Sequence, residues 1–307
     1  MPDKIPETIV LIAGPTASGK SALAVALARA IGADVINADA IQVYEDLEIL
    51  SARPSAAEMG GVRHHLFGVL GAGERCSAGR WAAMAADALG AIAAEGRAAI
   101  FVGGTGLYFR VLTEGLSEIP PIPDDVRDAA RARRAALGAA AFHKEVTAGD
   151  PAMARLDPAD THRNLRAWEV LTATGRPLSD FQSQKGAPLT PAPAARVILA
   201  PDRAALYARC EARFDAMMAA GALDEAARLK ARGVEADMPV MKALGLAELI
   251  RHLNGSMSLE AAIEEAKRNT RRFAKRQLTW FRNQTPDWPV AEDSDAAMIL
   301  LREKGLV

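Results

Sequence analysis

Residues 14–21 are the stretch of this sequence that most restricts its fold. They read Gly-Pro-Thr-Ala-Ser-Gly-Lys-Ser and match the G-x-x-x-x-G-K-S/T pattern of a phosphate-binding loop. Residues 8–13 form an apolar run that stops at the first glycine, as a buried parallel strand would. Leu23, Leu27 and Ile31 then recur at helical spacing. The order of strand, loop and helix predicts the first unit of a parallel α/β sheet.

The composition of the phosphate-binding loop, residues 14–21, indicates how it would hold an anion. Its glycines let backbone amides turn toward phosphate oxygens, and the following helix contributes the positive end of its dipole. Lysine adds a full charge, and the last serine supplies a hydroxyl suited to Mg²⁺. ATP is the usual ligand of such a loop, but the diphosphate of a leaving group would fit the same place. The predicted phosphate-binding residues are Gly14, Pro15, Thr16, Ala17, Ser18, Gly19, Lys20 and Ser21, with Ser21 as the predicted magnesium ligand.

Overall composition excludes several classes of protein. The 307 residues include 37 basic and 38 acidic ones, so any surface for a polyanion must be local. Cys76 and Cys210 lie far apart and form no C-x-x-C pair, which argues against a zinc site or a disulfide framework. No apolar run is long enough to cross a membrane, and no secretion signal opens the chain. We expect a cytoplasmic protein.

Two further strand ends are predicted to carry polar side chains. Residues 33–38 are mostly apolar and end at Asp39, and the strand predicted over residues 98–102 runs into a glycine-rich turn that carries Thr105. Residues just past the ends of parallel strands line the ligand crevice, so both should face the phosphate site. Asp39 is thus a candidate base or magnesium partner. The alternatives are a turn or N-cap aspartate and a turn threonine.

A change of composition predicts a second domain. Residues 119–123 are proline-rich, and the residues that follow have helical patterns over 124–137, 143–148 and 161–174. Residues 195–200 then have the pattern of another strand of the main sheet. We predict an α/β fold, a P-loop NTPase-like parallel sheet flanked by helices, with a small all-helical insertion domain. The core is assigned to residues 1–118 and 189–307, and the insertion to residues 119–188.

The helix predicted over residues 259–283 has one strongly basic half. No acidic residue occurs between Glu265 and Asp287, so the cations lack acidic partners on their own helix. An unpaired basic face predicts a surface for a polyanion such as nucleic acid. The residues on this half are Lys267, Arg268, Arg271, Arg272, Lys275, Arg276 and Arg282.

Together these motifs resemble one family. The order and spacing of several segments are similar to those of bacterial tRNA dimethylallyltransferases, and the match extends over residues 9–283. Those segments are GPTASGKS at 14–21, DAIQVY at 39–44, HHL at 64–66, GGTGLY at 103–108, HRNLR at 162–166 and AKRQLTWFR at 274–282.

The resemblance implies a reaction. A dimethylallyl group would pass from dimethylallyl diphosphate to N6 of adenine 37 in certain tRNAs, with release of diphosphate. It implies that Asp39 accepts the proton of the adenine amino group, that Thr105 lies at the reacting centre, and that Arg213 reaches the diphosphate. Mg²⁺ is the implied cofactor. The adenine would have to leave the anticodon-loop stack to react.

The resemblance also implies which residues meet the tRNA anticodon stem-loop. We expect them in the turn after the second strand, in the insertion, near residues 242–247 and on the basic helix, in a protein that acts as a monomer. They are Asp39, Ala40, Ile41, Gln42, Thr105, Arg127, His162, Arg163, Asn164, Leu165, Arg166, Lys242, Gly245, Arg272, Lys275 and Arg276.

Two other functions share parts of this pattern. A P-loop small-molecule kinase that uses ATP would need arginines over the transferred phosphoryl group, and the insertion offers Arg127, Arg131, Arg133 and Arg134. A nucleotide-regulated RNA-binding module without chemistry is the other alternative. Formation of ADP would support the kinase, and indifference of every activity to loss of the Asp39 carboxylate would support the module.

Overall fold

The strands form a single parallel sheet. The computed structural model describes residues 5–184, 186–190 and 192–306. In these ranges the sheet has the strand order β3-β2-β4-β1-β5-β6. The strands are β1 (Ile9–Ala13), β2 (Ala33–Asn37), β3 (His64–His65), β4 (Ala98–Gly103), β5 (Ala195–Leu199) and β6 (Val290–Ala291).

Helices make up most of the rest of the described chain, and those of the unit that contains the sheet, such as α1 and α12, flank it. No helix in the described ranges is both long and apolar enough to cross a membrane. The helices are α1 (Lys20–Ile31), α2 (Ala56–Met59), α3 (Ala78–Ala94), α4 (Gly106–Glu114), α5 (Asp124–Gly149), α6 (Thr161–Thr174), α7 (Leu178–Ser183), α8 (Arg203–Ala219), α9 (Ala222–Ala231), α10 (Leu246–Leu253), α11 (Leu259–Gln284) and α12 (Ser294–Glu303).

The central strands are buried on both faces, which is why β1 is apolar without alternation. Every residue of β1 and of β2 is buried. Apolar side chains of α1, including Leu23 and Leu27, pack in the same core cluster as Ala297 and Leu301 of α12. The predicted parallel α/β sheet is therefore confirmed, and helix packing on its face holds the strand ends in place.

The chain divides into two compact units. One comprises residues 1–113 and 189–307, and the other spans residues 114–188. The second unit therefore begins five residues before residue 119, the start that the sequence predicted for the insertion. The second unit has its own apolar core, in which Phe142 of α5 and Val170 of α6 are fully buried. A unit with a separate core of this kind can fold around its own helices.

Several element boundaries differ from the sequence predictions. Helix α5 runs through both predicted segments, 124–137 and 143–148, with a kink at Gly138, where φ is 74°. Residues 241–253 have a helical pattern, but residues 239–242 form a 3₁₀ turn and α10 begins only after Gly245, where φ is 83°. Strand β6 and helix α12 were not predicted, because two-residue strands and short C-terminal helices carry little periodic signal.

Candidate active site

Three neighbouring strand ends build the site. In the order β2-β4-β1, the strand that leads to Thr105 lies between the strand that leads to Asp39 and the strand that leads to the phosphate-binding loop. Ala13 is level with Gly103, and Asn37 is level with Val102, so the strands end at one edge. The structure thus brings together two side chains that are far apart in the sequence, Asp39 and Thr105, and both line the same cavity.

The phosphate-binding loop has the backbone of an anion site. Ala17 and Gly19 adopt left-handed conformations, with φ 62° and 96°. Left-handed residues in a tight loop turn successive N–H groups toward one point, which favours an anion there. Helix α1 begins directly after the loop, at Lys20, so the positive end of its dipole points the same way.

The carboxylate of Asp39 is held in a fixed orientation. The backbone N–H of Asp39 donates to Oδ1 of Asn37 at 2.8 Å, and Nδ2 of Asn37 donates to the carbonyl of Asp39 at 2.9 Å. Oδ1 of Asp39 accepts from the N–H of Ile41 at 2.9 Å. Oδ2 has no hydrogen-bond partner within the described ranges. One carboxylate oxygen is therefore anchored and the other is available to a ligand.

Thr105 contacts the Asp39 turn directly. Its Oγ1 accepts from the N–H of Ala40 at 2.9 Å, and its own N–H donates to the carbonyl of Ala38 at 3.2 Å. Ala38 and Ala40 are the two neighbours of Asp39, so Thr105 supports the backbone on both sides of the carboxylate. The threonine is therefore part of the framework that orients Asp39 as well as a residue of the cavity wall.

Two partly buried cations, Lys20 at the end of the phosphate-binding loop and Arg213 on α8, lie close to its backbone. Nζ of Lys20 donates to the carbonyl of Pro15 at 3.1 Å, and a guanidinium N–H of Arg213 donates to the hydroxyl of Thr16. Burial lowers the pKa of Lys20 to about 8, although the charge of Asp39 opposes that effect. Burial also lowers the pKa of Arg213. Neither cation has a carboxylate within ion-pair distance in the described part of the chain, so an anionic ligand would relieve the electrostatic cost of burying both.

Gln277 is a site residue whose role the sequence did not reveal. It lies on α11, and its Oε1 accepts from the N–H of Thr16 at 2.9 Å. Its Nε2 donates to the carbonyl of Gly104 at 2.8 Å. The residue was visible in the AKRQLTWFR segment, but only the tertiary structure shows which backbone groups its carboxamide joins.

The cavity beside these groups has a volume of about 420 Å³. The polar side chains of Thr16, Asp39, Thr105 and Arg213 are part of its lining, and the larger share of its wall is apolar. Gly106 lets the ring of Trp280 approach closely, because a Cβ there would lie 2.3 Å from Cε3 of that ring. The apolar wall residues are Ile41, Leu50, Leu107, Phe214, Met217, Leu244, Phe273, Trp280 and Phe281.

A buried carboxylate fixes one part of the wall. Glu225 on α9 is 3 % exposed, and its two oxygens accept from the consecutive N–H groups of Glu48, Ile49 and Leu50 at 2.7, 2.9 and 2.7 Å. Leu50 and Ser51 line the cavity. A carboxylate that satisfies three amides keeps an irregular segment ordered, so this wall has a defined shape.

The structure corrects the interpretation of the basic helix. Lys267 pairs with Asp215 at 2.7 Å and with Glu264 at 3.7 Å, and Arg271 pairs with Glu211. Two of these acids, Asp215 and Glu211, belong to α8. The periodicity of α11 shows where its cations lie but not which other helix packs against them. The prediction of a wholly unpaired face was therefore wrong for Lys267 and Arg271. The cations that remain exposed are Arg268, Arg272, Lys275, Arg276 and Arg282.

The other predicted RNA contacts in the unit that contains the sheet differ in their surroundings, since some line the cavity and others do not. Ala40, Ile41, Lys242 and Arg276 line the cavity, together with Asp39 and Thr105. The side chain of Gln42 instead donates to the carbonyls of Ser51 and Ala52. Gly245 is buried against Phe214, since a Cβ there would lie 2.4 Å from that ring. Arg272 and Lys275 lie on the exposed side of α11, outside the cavity.

The predicted RNA contacts in the second unit differ in their exposure and in their partners within that unit. His162 is exposed, and Arg127, Arg163 and Arg166 each pair with an acid three residues away, Asp124, Asp160 and Glu169. Asn164 is 1 % exposed, and its Nδ2 donates to the carbonyls of Asp157 and Asp160. Leu165 packs on the apolar core. The carboxamide of Asn164 is thus used inside the unit, whereas Arg163 is exposed and Arg127 and Arg166 are partly buried.

Comparisons with known proteins identify the family. The family model described as "IPP transferase" matches residues 42–284, and the one described as "Isopentenyl transferase" matches residues 7–68. The chain is 52 % identical to the tRNA dimethylallyltransferase of Nitrobacter hamburgensis over 94 % of this chain and 92 % of that protein. It is 49 % identical to the tRNA dimethylallyltransferase of Phenylobacterium zucineum over 97 % of this chain and 98 % of that protein.

Solved structures agree with this assignment. The tRNA isopentenylpyrophosphate transferase of Bacillus halodurans superposes with a TM-score of 0.67 at 33 % identity, and the match covers 97 % of this chain and 98 % of that one. A eukaryotic dimethylallyltransferase acting on tRNA has the same fold, with a TM-score of 0.81 at 24 % identity over 96 % of this chain and 77 % of that one. The chain belongs to the IPP transferase family, the family of the tRNA dimethylallyltransferases.

Proposed function

We propose that this chain transfers a dimethylallyl group from dimethylallyl diphosphate to N6 of adenine 37 in tRNA and releases diphosphate. The observation that carries the proposal is the cavity in which Asp39, Thr105 and Arg213 meet beside the phosphate-binding loop. Membership of the IPP transferase family supports the reaction class. Action as a monomer is part of the same proposal.

The diphosphate of the donor would lie against the phosphate-binding loop. The inward-turned amides, the N-terminus of α1 and the partly buried charges of Lys20 and Arg213 all favour an anion. The charge on the leaving diphosphate grows as the bond to the allylic carbon breaks, so fixed cations near it stabilise the transition state more than the bound donor. The five-carbon chain would lie along the apolar wall.

The residues present suit a magnesium ion that is shared with the diphosphate. Ser21 is exposed in the first turn of α1, and no cluster of three or more ligating side chains occurs in the described ranges. Mg²⁺ commonly takes one or two protein oxygens together with substrate phosphates and waters. Ser21 would supply that protein oxygen, and the bound ion would help to neutralise the departing diphosphate.

Asp39 would act as the general base. An adenine amino group is a weak nucleophile because its lone pair is delocalised into the ring, so loss of its proton must accompany attack on the allylic carbon. Oδ1 of Asp39 is held by the N–H of Ile41, which leaves Oδ2 to accept that proton. The adenine must leave the base stack to reach this oxygen, and the aromatic rings of Phe273 and Trp280 offer it a stacking surface.

Nucleoside analysis tests the proposal. Purified protein is incubated with tRNA and dimethylallyl diphosphate, and the digested nucleosides are measured by mass spectrometry. The expected result is a dimethylallyl-adenosine that requires both substrates and forms together with diphosphate. RNA that never gains a prenyl group under these conditions would contradict the proposal.

The kinase alternative is not favoured. Three of the arginines that could have covered a transferred phosphoryl group pair with acids inside their own unit: Arg127 with Asp124, Arg131 with Asp128, and Arg133 with Glu145. The family matches point to prenyl transfer. ADP production in the same assay would be the result expected of a kinase.

A further inference from the structure

Gln277 occupies an unusual place for a polar residue on a surface helix. It is only 6 % exposed, and it lies on the inner side of α11, whereas Lys275 and Arg276 next to it are exposed. Its carboxamide makes one hydrogen bond as acceptor and one as donor, and both partners are backbone groups of other loops. A buried carboxamide with both ends satisfied specifies a unique arrangement of its surroundings.

The first partner belongs to the phosphate-binding loop. The N–H of Thr16 donates to Oε1 of Gln277, and the hydroxyl of Thr16 accepts from Arg213. The Thr16 amide is therefore directed at α11 and not at a bound phosphate. Gln277 of α11 thus holds the backbone of Thr16, and Arg213 of α8 holds its side chain.

The second partner lies next to Thr105. Nε2 of Gln277 donates to the carbonyl of Gly104, and a Cβ on Gly104 would lie 2.2 Å from that nitrogen. The next atom that such a Cβ would meet is the carbonyl oxygen of Gly14, at 3.1 Å. The absence of a side chain at position 104 is what lets the carboxamide reach this strand end.

Only glutamine has the required groups at the required reach. Glutamate would keep an acceptor for Thr16 but would place a second acceptor against the carbonyl of Gly104. Asparagine is one methylene shorter, and methionine, which is similar in size, offers neither a donor nor a strong acceptor. The site therefore depends on the chemistry of the carboxamide as well as on its volume.

We propose that Gln277 is a positioning residue that sets the spacing between the phosphate-binding loop and the strand end that carries Thr105. The inference rests on the proposed function, since these two loops would hold the diphosphate and orient Asp39. With the bridge in place, the allylic carbon of the donor lies at a fixed distance from the adenine that the Asp39 turn receives. A displacement of about 1 Å between reacting groups can lower a rate by about 100-fold.

The first test compares Gln277→Met with Gln284→Met, a control at an exposed glutamine near the end of the same helix. Affinity for dimethylallyl diphosphate is measured by calorimetry without tRNA, and kcat and KM are measured with both substrates. For Gln277→Met we expect kcat/KM for the donor to fall about 10- to 100-fold, with a raised KM and weaker donor binding. tRNA affinity should stay at the wild-type value, and the control should match wild type throughout.

A purely structural role would give a different pattern. Loss of folded protein lowers the apparent kcat and the number of donor and tRNA sites together, while the KM of the remaining active molecules is unchanged. That pattern, or wild-type donor affinity and KM in Gln277→Met, would overturn the proposal.

The second test approaches the bridge from the other side. A Gly104→Ala substitution should displace the carboxamide in the wild-type background, whereas in Gln277→Ala the nearest atom to the added methyl group is the carbonyl oxygen of Gly14, at 3.1 Å. We expect Gly104→Ala to raise the donor KM strongly in the wild type and little in the Gln277→Ala background. Additive effects of the two changes would contradict the proposal, because independent sites add.

These outcomes are separable from a failure of the proposed function. If the wild-type protein made no prenylated nucleoside, the function would be wrong whatever the variants did. If the wild type made the product and Gln277→Met bound the donor equally well, only the positioning role would be wrong.

Discussion

The hydroxyl of Thr105 accepts a hydrogen bond from the backbone N–H of Ala40 at 2.9 Å, across 65 residues of sequence. This contact links the ends of β4 and β2, and Ala40 directly follows the proposed base. A threonine hydroxyl is both an acceptor and a donor. While the oxygen of Thr105 accepts from Ala40, its proton can be donated to the substrate. The bond therefore makes Thr105 a support for the Asp39 turn and not only a part of the cavity wall.

Replacing Thr105 separates these roles. Thr105→Val keeps the volume but leaves the N–H of Ala40 without its partner, an unsatisfied group that costs about 1–3 kcal/mol. We expect kcat to fall about 10-fold or more with a small loss of thermal stability, and Thr105→Ser to keep most of the activity. Equal activity of the valine and threonine proteins would show that the hydrogen bond does not matter for turnover.

Asp39→Asn tests the base directly. The asparagine can still accept from the N–H of Ile41 through its side-chain oxygen, so the turn should keep its shape. Loss of a general base lowers turnover by about 10²–10⁴-fold. We expect kcat to fall in this range while tRNA affinity is largely retained, as measured by single-turnover kinetics and filter binding. Asp39→Ala should show the same loss of turnover, and a large loss of tRNA binding with normal turnover would contradict the assignment.

The exposed cations of α11 predict a salt-dependent affinity for tRNA. Each phosphate contact that is lost should reduce the slope of log affinity against log salt by about 1. We expect this flattening for Arg272→Glu and for Arg276→Glu. The matched control is Lys267→Gln, because Lys267 is already paired with Asp215 at 2.7 Å. If the control flattened the slope as much as the charge reversals, α11 would not be the contact surface.

The lowered pKa of Lys20 predicts a pH dependence of donor binding. In the free protein the ammonium loses its proton around pH 8, because burial disfavours its charge. A bound diphosphate stabilises the ammonium and raises that pKa, so affinity should be full below about pH 8 and fall as the pH rises above it. Calorimetry with dimethylallyl diphosphate in buffers of different ionisation enthalpy should show proton uptake above pH 8.

Lys20→Met provides the control for this titration. The variant should bind the donor weakly and without proton uptake at any pH in this range. Proton uptake that persisted in Lys20→Met would assign the titration to another group.

Magnesium removal tests the proposed role of Ser21. Chelation should abolish most of the turnover, and added Mg²⁺ should restore it. Ser21→Ala should raise the concentration of Mg²⁺ needed for half-maximal rate, because the ion would lose its protein oxygen. A rate that is unaffected by chelation, or an unchanged magnesium requirement in Ser21→Ala, would remove the ion or the ligand from the mechanism.

Much of the fold and part of the site could be predicted because their signals are local. The phosphate-binding loop, the apolar strands beside it and the polar residues Asp39 and Thr105 at two strand ends each depend on a few consecutive residues. Parallel strands in one sheet end at one edge, so the meeting of these groups follows from the strand pattern together with a general rule of topology.

Contacts between distant segments could not be read in this way. The pattern of α11 shows where its cations lie on the helix, but not that Glu211 and Asp215 of α8 neutralise two of them. Likewise the carboxamide of Gln277 is an ordinary polar side chain in sequence. Its partners, Thr16 and Gly104, are 261 and 173 residues away.

By itself, then, the sequence determined the parallel sheet and the phosphate-binding loop motif, since short-range periodicity and glycine placement encode them, and it supplied Asp39 and Thr105 as candidate reactive side chains. Only the tertiary structure decided which cations stay exposed, how the Asp39 turn is held and what joins the two loops of the cavity. The physical reason is that hydrogen bonds and ion pairs depend on distances of a few ångströms between atoms. Those distances are set only when separate elements pack together.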